Sequence, residues 1–175
     1  MKKFLVILAV FIMILIININ SEEYFIIPND AIRFRIIANS NSVNDQRMKL
    51  IVKENLEKKL EEDLVNVKDI DSSRAIIKEN MDSYKGLVSD TLKDNNYNNS
   101  FDINYGENYF PEKIYKGVKY ESGYYESLVV SLGSGSGDNF WCVLFPPICN
   151  LDFDKNNKNI EYKFLVKDVF DRYIK

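Results

Sequence analysis

The residues best suited to chemistry lie in one stretch, which runs from Ser131 to Cys149 and reads SLGSGSGDNFWCVLFPPIC. It holds the single tryptophan, Trp141, and the only two cysteines, Cys142 and Cys149. Two cysteines this close together either form a disulfide, if their Cα atoms come within about 7 Å, or remain as free thiols in the core, where cysteine is commonly buried. The stretch itself leaves both interpretations open.

Histidine is absent from the 175 residues. Its absence excludes Ser-His-Asp and Cys-His catalysis and every zinc site with a histidine ligand. The glycine-rich run ends in Asp138-Asn139 and lacks the Lys-Ser/Thr pair and the helix of a phosphate-binding loop. The sequence therefore predicts no cofactor and no metal. Carboxylate pairs such as Glu61-Glu62 keep one alternative open, an extracytoplasmic carboxylate-dependent hydrolase or a cell-wall-binding domain.

The composition is that of an acidic globular chain. Lys and Arg number 23 against 26 Asp and Glu, and the formal net charge is -3. An acidic chain without a basic cluster is not suited to nucleic-acid binding. The hydrophobic content of 46% is ample for a packed core. We therefore predict a single α+β domain over residues 30–175.

The first residues resemble an export leader. Lys2-Lys3 precede the apolar run Phe4–Ile17, which is the order of a signal peptide. The run is shorter than the about 20 residues of a full membrane span, but no small-residue cleavage site follows it. Residues 1–20 are therefore predicted to be a signal peptide or an N-terminal membrane anchor, and residues 21–29 a tether. Export favours the disulfide, because disulfides persist outside the cytoplasm.

The first half of the domain predicts one strand and two helices. Residues 32–37 alternate as in a strand with one apolar face. Ser42 and Asp45 resemble a capping box at the start of a helix that runs to about Leu64, and a second helix begins near Ser72. The apolar stripe of the first helix is predicted to comprise Met48, Ile51, Val52, Leu56 and Leu60.

The second half predicts an antiparallel meander. Residues 133–137 are expected to form a hairpin with a mobile tip between the strands at 128–132 and 140–145. The last segment predicts a short strand that enters a C-terminal helix, which buries Leu165, Val169 and Phe170. The predicted fold is α+β, with two N-terminal helices packed on one face of a mostly antiparallel sheet and a C-terminal helix.

Two stretches resemble the stage II sporulation protein R family. One is IRFRIIANSNSVNDQRMKLIVKENL at 32–56, and the other is YGENYFPEKIY at 105–115 together with LVVSLGSGSGDNFWCVLFPPIC at 128–149. The sequence departs from the family at Phe140, where tryptophan is common, and at Arg35, where many members carry histidine. The residues that match the family pattern are Arg33, Phe34, Ile37, Ala38, Asn39, Ser40, Ser42, Asp45, Gln46, Gly135, Gly137, Asn139, Trp141, Cys142, Val143, Leu144, Phe145, Pro146, Pro147 and Cys149.

The resemblance implies a function that the residues alone do not reach. Members of the family are made in the forespore and exported into the space between forespore and mother cell. There they trigger a mother-cell membrane protease that processes the pro-form of sigma-E. A member is then a ligand of the extracytoplasmic region of that protease and not an enzyme.

The surface predicted to bind this partner combines the turn at 39–42 with the glycine-rich connection that leads to Trp141. The glycines permit a mobile loop that orders against a partner, and an exposed tryptophan anchors many protein interfaces. The predicted partner-binding residues are Asn39, Ser40, Ser42, Gly135, Gly137, Asn139 and Trp141.

Overall fold

The structure is a computed structural model of the chain, and it describes residues 3–4, 25–115, 118–149 and 159–173. The leader predicted over residues 1–20, apart from residues 3 and 4, and the first part of the predicted tether lie outside these ranges. Across the described ranges, no helix combines the length and the apolar character needed to cross a membrane.

Helices and strands follow one another in blocks along the chain. The strands are β1 (Phe25–Ile26), β2 (Ile32–Ile37), β3 (Phe101–Phe110), β4 (Lys113–Tyr115), β5 (Val118–Tyr120), β6 (Gly123–Leu132) and β7 (Asn139–Phe145). The helices are α1 (Val43–Leu64), α2 (Ile70–Glu79), α3 (Met81–Asp94) and α4 (Asn159–Tyr173).

The strands form two mixed sheets. The larger sheet has the order β3-β6-β2-β7, in which β2 runs parallel to β6 and antiparallel to β7. The smaller sheet has the order β1-β5-β4, in which β1 is parallel and β4 antiparallel to β5. Because β2 lies between β6 and β7, these two strands do not pair, and the hairpin predicted between them does not form. Their connection must instead cross the end of β2.

The predicted fold class was wrong. Three helices lie between β2 and β3, where two N-terminal helices were expected, and two mixed sheets replace one mostly antiparallel sheet. The second predicted helix is in fact α2 and α3, which meet at Asn80 with φ -92° and ψ 7°. The buried stripe from Ile77 to Leu92 continues across this break, and for this reason the spacing of the apolar residues predicted a single helix. Strand periodicity is likewise the same in parallel and antiparallel pairs.

Helix α1 begins and ends as its sequence predicts. The backbone N–H of Asp45 donates to the Ser42 hydroxyl at 3.1 Å, which is the predicted N-cap, and the helix ends at Leu64. Its stripe packs in one hydrophobic cluster with side chains of β2 such as Phe34. Each fully buried apolar side chain of this size contributes about 1.5–3 kcal/mol. The stripe residues that are buried are Met48, Val52, Leu56 and Leu60.

The second face of β2, which carries Arg33 and Arg35, is also covered. Arg33 is 0% exposed, and its guanidinium lies 3.3 Å from the centroid of the Tyr125 ring. The rings of Phe110 and Tyr120 lie 5.7 Å away. Its Nη2 donates to the carbonyl of Ile27 at 3.4 Å, whereas Nε and Nη1 have no partner. An aromatic layer therefore holds this cation in place of a carboxylate.

The described C-terminal segment is helical from residue 159 onward, so the short strand predicted before the helix is absent from that segment. Phe170 is buried as predicted and lies 5.2 Å from the ring of Phe25, while Val169 is half-buried. The side chain of Leu165 lies outside the described part. Helix α4 therefore packs against the smaller sheet.

Candidate functional site

The connection from β6 to β7, residues 133–138, is called the glycine arch below. It crosses the end of β2 and lies on the turn that leaves this strand. Gly137 N donates to the carbonyl of Ala38 at 2.8 Å, and Ser136 N donates to that of Asn39 at 3.1 Å. Ser134 N donates to the side-chain oxygen of Asn39 at 2.9 Å. The mobile tip predicted from the glycines is therefore wrong, because these hydrogen bonds hold the arch to the turn.

Two of the glycines are required by this close approach. Gly133 has φ +55°, and a Cβ on it would lie 2.2 Å from the Asn39 side-chain oxygen. A Cβ on Gly137 would lie 2.3 Å from the carbonyl oxygen of Ser40. Real Cβ atoms do not come this close to other heavy atoms, so a side chain at either position would separate the arch from the turn.

The carboxylate of Asp45 holds the turn at residues 39–42 in place through hydrogen bonds. It accepts hydrogen bonds from Asn39 Nδ2 at 2.9 Å, Ser40 Oγ at 2.5 Å and the Tyr97 hydroxyl at 2.6 Å. The hydroxyls of Ser40 and Tyr97 lower the pKa of Asp45 to about 2. Asp45 also lies in the first turn of α1, where the helix dipole favours a negative charge. The capping pattern identified Asp45, but nothing local in the sequence connects it to Tyr97.

Lys49 of α1 holds the glycine arch to this helix through hydrogen bonds of its ammonium group. Its ammonium donates to the carbonyl of Asp138 at 3.0 Å and to Gln46 Oε1 at 2.6 Å. Gln46 Nε2 in turn donates to the carbonyl of Ser40 at 2.9 Å. The backbone N–H of Asp138 donates to Asn41 Oδ1 at 2.6 Å. Burial lowers the pKa of Lys49, and this side chain acts as a bridge between helix, turn and arch.

The outward surface of this assembly is called the platform below; it comprises residues 38–42, the glycine arch at 133–138 and the first turns of α1. Ser134 and Ser136 are exposed on the arch. On α1, the first residue, Val43, is 88% exposed, and Leu50, two turns further on, is 55% exposed. The platform is thus a fixed polar surface that carries apolar side chains in contact with solvent.

Most of the predicted partner-binding residues come together at the platform. Asn39, Ser40, Gly135 and Gly137 lie in the turn and the arch, but the side chains of Asn39 and Ser40 are engaged in the internal hydrogen bonds given above. Ser42 caps α1 at the edge of the platform. Whether any of them contacts a partner stays a prediction.

Trp141 lies apart from the platform, on the face of β7 that joins the aromatic layer. Asn139 directly follows the arch, and its amide nitrogen donates to the carbonyl of Gly137 at 3.0 Å. With its amide oxygen turned toward Arg35, Asn139 accepts from Nη2 at 2.8 Å and Nε at 3.1 Å. The Trp141 ring lies 5.1 Å from Phe110 and 5.5 Å from Tyr120. Its Nε1 is buried without a hydrogen-bond partner. The structure therefore places Trp141 among packed rings and not at an exposed anchor position.

A groove of about 210 Å³ lies at the other end of α1. Two carboxylates, Glu57 and Glu61, line it together with apolar walls that include Leu60, Leu144 and Pro147. Burial raises the pKa of Glu57, although the ammonium of Lys53 lies 2.5 Å from it and opposes the shift. The hydrolase alternative requires two carboxylates in one cleft. This groove supplies them, but the apolar walls named here offer no polar grip on a substrate.

The two cysteines are joined by a disulfide, as export had favoured. The Cα atoms of Cys142 and Cys149 are 5.6 Å apart. The bond ties β7 to the turn that follows it, and Ile148 N donates to the carbonyl of Val143 at 3.2 Å within that turn. Near the disulfide, Ile148 is buried against the smaller sheet and α4.

Taken together, the fold and the site define a small α+β protein of two mixed sheets, with a glycine arch fastened over a polar turn. The family model described as Stage II sporulation protein R (spore_II_R) matches residues 28–155, and the chain belongs to this family. Stage II sporulation protein R of Bacillus subtilis (strain 168) is 34% identical over 134 residues, which cover 77% of this chain and 60% of that relative. No solved structure matches the chain.

Membership of this family confirms the resemblance found in the sequence and supports a role in sporulation. The chain spans 60% of the length of the Bacillus subtilis relative. The activity and partners of a whole family protein are therefore taken up as proposals below.

Proposed function

We propose that the protein is an exported signal of sporulation, which activates a membrane-bound protease that processes pro-sigma-E. The leader at residues 1–20 would carry it across the forespore membrane or anchor it there, and the folded part would bind the extracytoplasmic region of the protease. Family membership supports this proposal, since the matched region covers residues 28–155 and so includes the platform.

A ligand activates a receptor only by binding its active state more tightly than its inactive state. Moving such an equilibrium from one state almost fully to the other takes a preference of about 5.5 kcal/mol. Surfaces that are ordered before binding lose less of their binding energy to conformational entropy. The arch and the turn are held by mutual hydrogen bonds before any partner arrives, and this preorganisation is the observation on which the proposal depends.

A comparison of the groove with the platform favours a ligand over a hydrolase. Glu57, the carboxylate with the raised pKa, lines the groove beside the apolar side chains of Leu144 and Pro147. A general acid in a hydrolase must instead stand beside polar groups that hold the bond to be protonated against it. The platform, in contrast, presents the exposed Val43 on a fixed support.

The test is co-expression with the protease and pro-sigma-E in a host without the sporulation pathway, with cleavage of pro-sigma-E as the readout. Val43→Asp places a charge on the platform at a helix start, where a negative charge does not harm the helix. We expect it to reduce processing at least about tenfold, which corresponds to about 1.4 kcal/mol of binding.

Val65→Asp is the matched control. Val65 is 68% exposed just beyond the other end of α1, about 33 Å away at 1.5 Å per residue. It is expected to support normal processing, with circular dichroism showing that both variants are folded. Equal processing by the two variants would exclude the platform as the contact surface, and no processing with the unmodified chain would contradict the function itself.

A further inference from the structure

The disulfide has an ionisable neighbour that the proposed function does not use. One carboxylate oxygen of Glu57 and the sulfurs of Cys142 and Cys149 all lie within 4.8 Å of one another. Glu57 projects from α1, Cys142 lies in β7, and Cys149 lies in the turn after β7. Three separate parts of the fold thus bring a carboxyl group to a disulfide, which is more than a staple between a strand and a turn requires.

The two sulfurs differ in their access to solvent. Cys142 is 8% exposed, whereas Cys149 is only half-buried in its turn. A disulfide is opened when a thiolate attacks one sulfur in line with the bond, and access decides which sulfur is attacked. Attack is therefore expected at Cys149, and the sulfur that leaves as a thiolate is the buried one of Cys142.

A buried thiolate is unstable unless a proton or a cation reaches it. Glu57 is half-buried, and burial raises its pKa, so that it keeps its proton at a higher pH than an exposed glutamate. The charged groups that face it are on its own helix: Lys53 favours the carboxylate, while Glu54 and Glu61 favour the protonated form. From β7 and its turn the two sulfurs face it, and Tyr173 of α4 lines the same groove.

We propose that the bond between Cys142 and Cys149 is an exchange-active disulfide, in which Glu57 exchanges a proton with the Cys142 sulfur. A thiolate of a dithiol protein forms a bond to the Cys149 sulfur as the bond between the two cysteines breaks, and Glu57 protonates the Cys142 thiolate. The second thiol of the dithiol protein then displaces Cys149. Two electrons and two protons thus pass from the dithiol protein to Cys142 and Cys149, and the dithiol protein leaves as a disulfide.

The test is reduction of the oxidised full chain by dithiothreitol, at a constant concentration of its thiolate and a series of pH values, with free thiols measured after alkylation. For the unmodified chain we expect the rate to rise as the pH falls and Glu57 gains its proton. Glu57→Gln should be at least about tenfold slower at low pH, with a flat profile, because an amide cannot act as a general acid.

Glu61→Gln is the matched control, because it removes the same charge from the same helix and groove. Its rate should still rise as the pH falls, with the profile displaced to lower pH because the charge of Glu61 helps to raise the pKa of Glu57. A second measurement does not depend on any variant. After brief treatment of the unmodified chain with glutathione, the glutathione adduct should be found on Cys149 by peptide mass analysis. An adduct on Cys142, or equal rates for Glu57→Gln and the unmodified chain at every pH, would overturn the proposal and leave a purely structural disulfide.

Discussion

Substitution of Gly137 by alanine tests whether the glycine arch is held as the structure describes. The added Cβ would lie 2.3 Å from the carbonyl oxygen and 2.6 Å from the carbonyl carbon of Ser40, and 2.9 Å from the Cβ of Ala38. The two nearest atoms belong to the backbone, so no side-chain rotation can relieve the overlap. The arch must move away from the turn.

The cost follows from the hydrogen bonds that this movement breaks. They are the bonds from Gly137 N to Ala38, from Ser136 N to Asn39 and from Asp138 N to Asn41, with lengths of 2.8, 3.1 and 2.6 Å. At about 1 kcal/mol net for each, the free energy of unfolding should fall by about 3 kcal/mol. For a chain of this size, the melting temperature should fall by about 6–12 °C.

The assay is urea and thermal unfolding followed by circular dichroism, with Gly86→Ala as the matched control. Gly86 lies within α3, and a Cβ there would meet nothing within 4 Å. The same substitution should therefore stabilise the chain at this position by about 0.5–1 kcal/mol. Each variant adds one methyl group to the unmodified chain, but the two should shift the free energy of unfolding in opposite directions.

If Gly137→Ala were as stable as the unmodified chain, the close approach of the arch to the turn would be refuted. The reasoning that the platform is ordered before binding would fail with it. A loss shared equally by Gly86→Ala would instead show that added methyl groups are not tolerated in general.

Three further predictions concern the groups that hold the core and the platform. The folded pKa of Asp45 is about 2, below its ordinary value of 3.8, so the stability that it contributes is present above pH 3.8 and is lost as the pH falls toward 2. The melting temperature of Asp45→Asn should therefore depend less on acid pH than that of the unmodified chain. Parallel curves of melting temperature against pH would contradict this. Arg33→Lys should lower the free energy of unfolding by about 2 kcal/mol, because an ammonium cannot stack flat on the Tyr125 ring. Arg33→Met should lower the free energy of unfolding by less, since it also removes a buried charge. The reverse order in urea unfolding would refute the role of the cation. Glu126 accepts from Arg74 Nε at 2.9 Å, and because this pair is partly exposed, Glu126→Gln should cost only about 1 kcal/mol in the same assay, with a smaller loss at high salt.

The local features of the fold could be predicted because their causes lie close together in the chain. The cap of α1 needs only Ser42 and Asp45, and the helix stripe needs only the helical period. The disulfide joins cysteines seven residues apart. The family motif is also continuous in sequence, and it identified the family that the comparisons confirm. In each case the interacting groups are neighbours before the chain folds.

The candidate site was predicted in its composition but not in its form. The turn and the glycines were identified together, yet the sequence predicted a mobile hairpin, since glycines are equally typical of a flexible tip and of a close backbone contact. The choice between the two depends on β2, which lies between β6 and β7. Trp141 in turn lies in the aromatic layer and not on the predicted surface, because the fold places the rings of Phe110 in β3 and Tyr120 in β5 against it.

The sequence by itself therefore determined the family, the helix cap and the buried stripe of α1, and it favoured a disulfide between the two cysteines. Only the tertiary structure decided that β2 separates β6 from β7, that the arch is fastened down, that Arg33 is buried among rings and that Glu57 faces the disulfide. The physical reason is that periodicity and capping are properties of neighbouring residues. Strand partners and buried contacts instead join residues far apart in the chain, and any of several partners could satisfy the same local pattern.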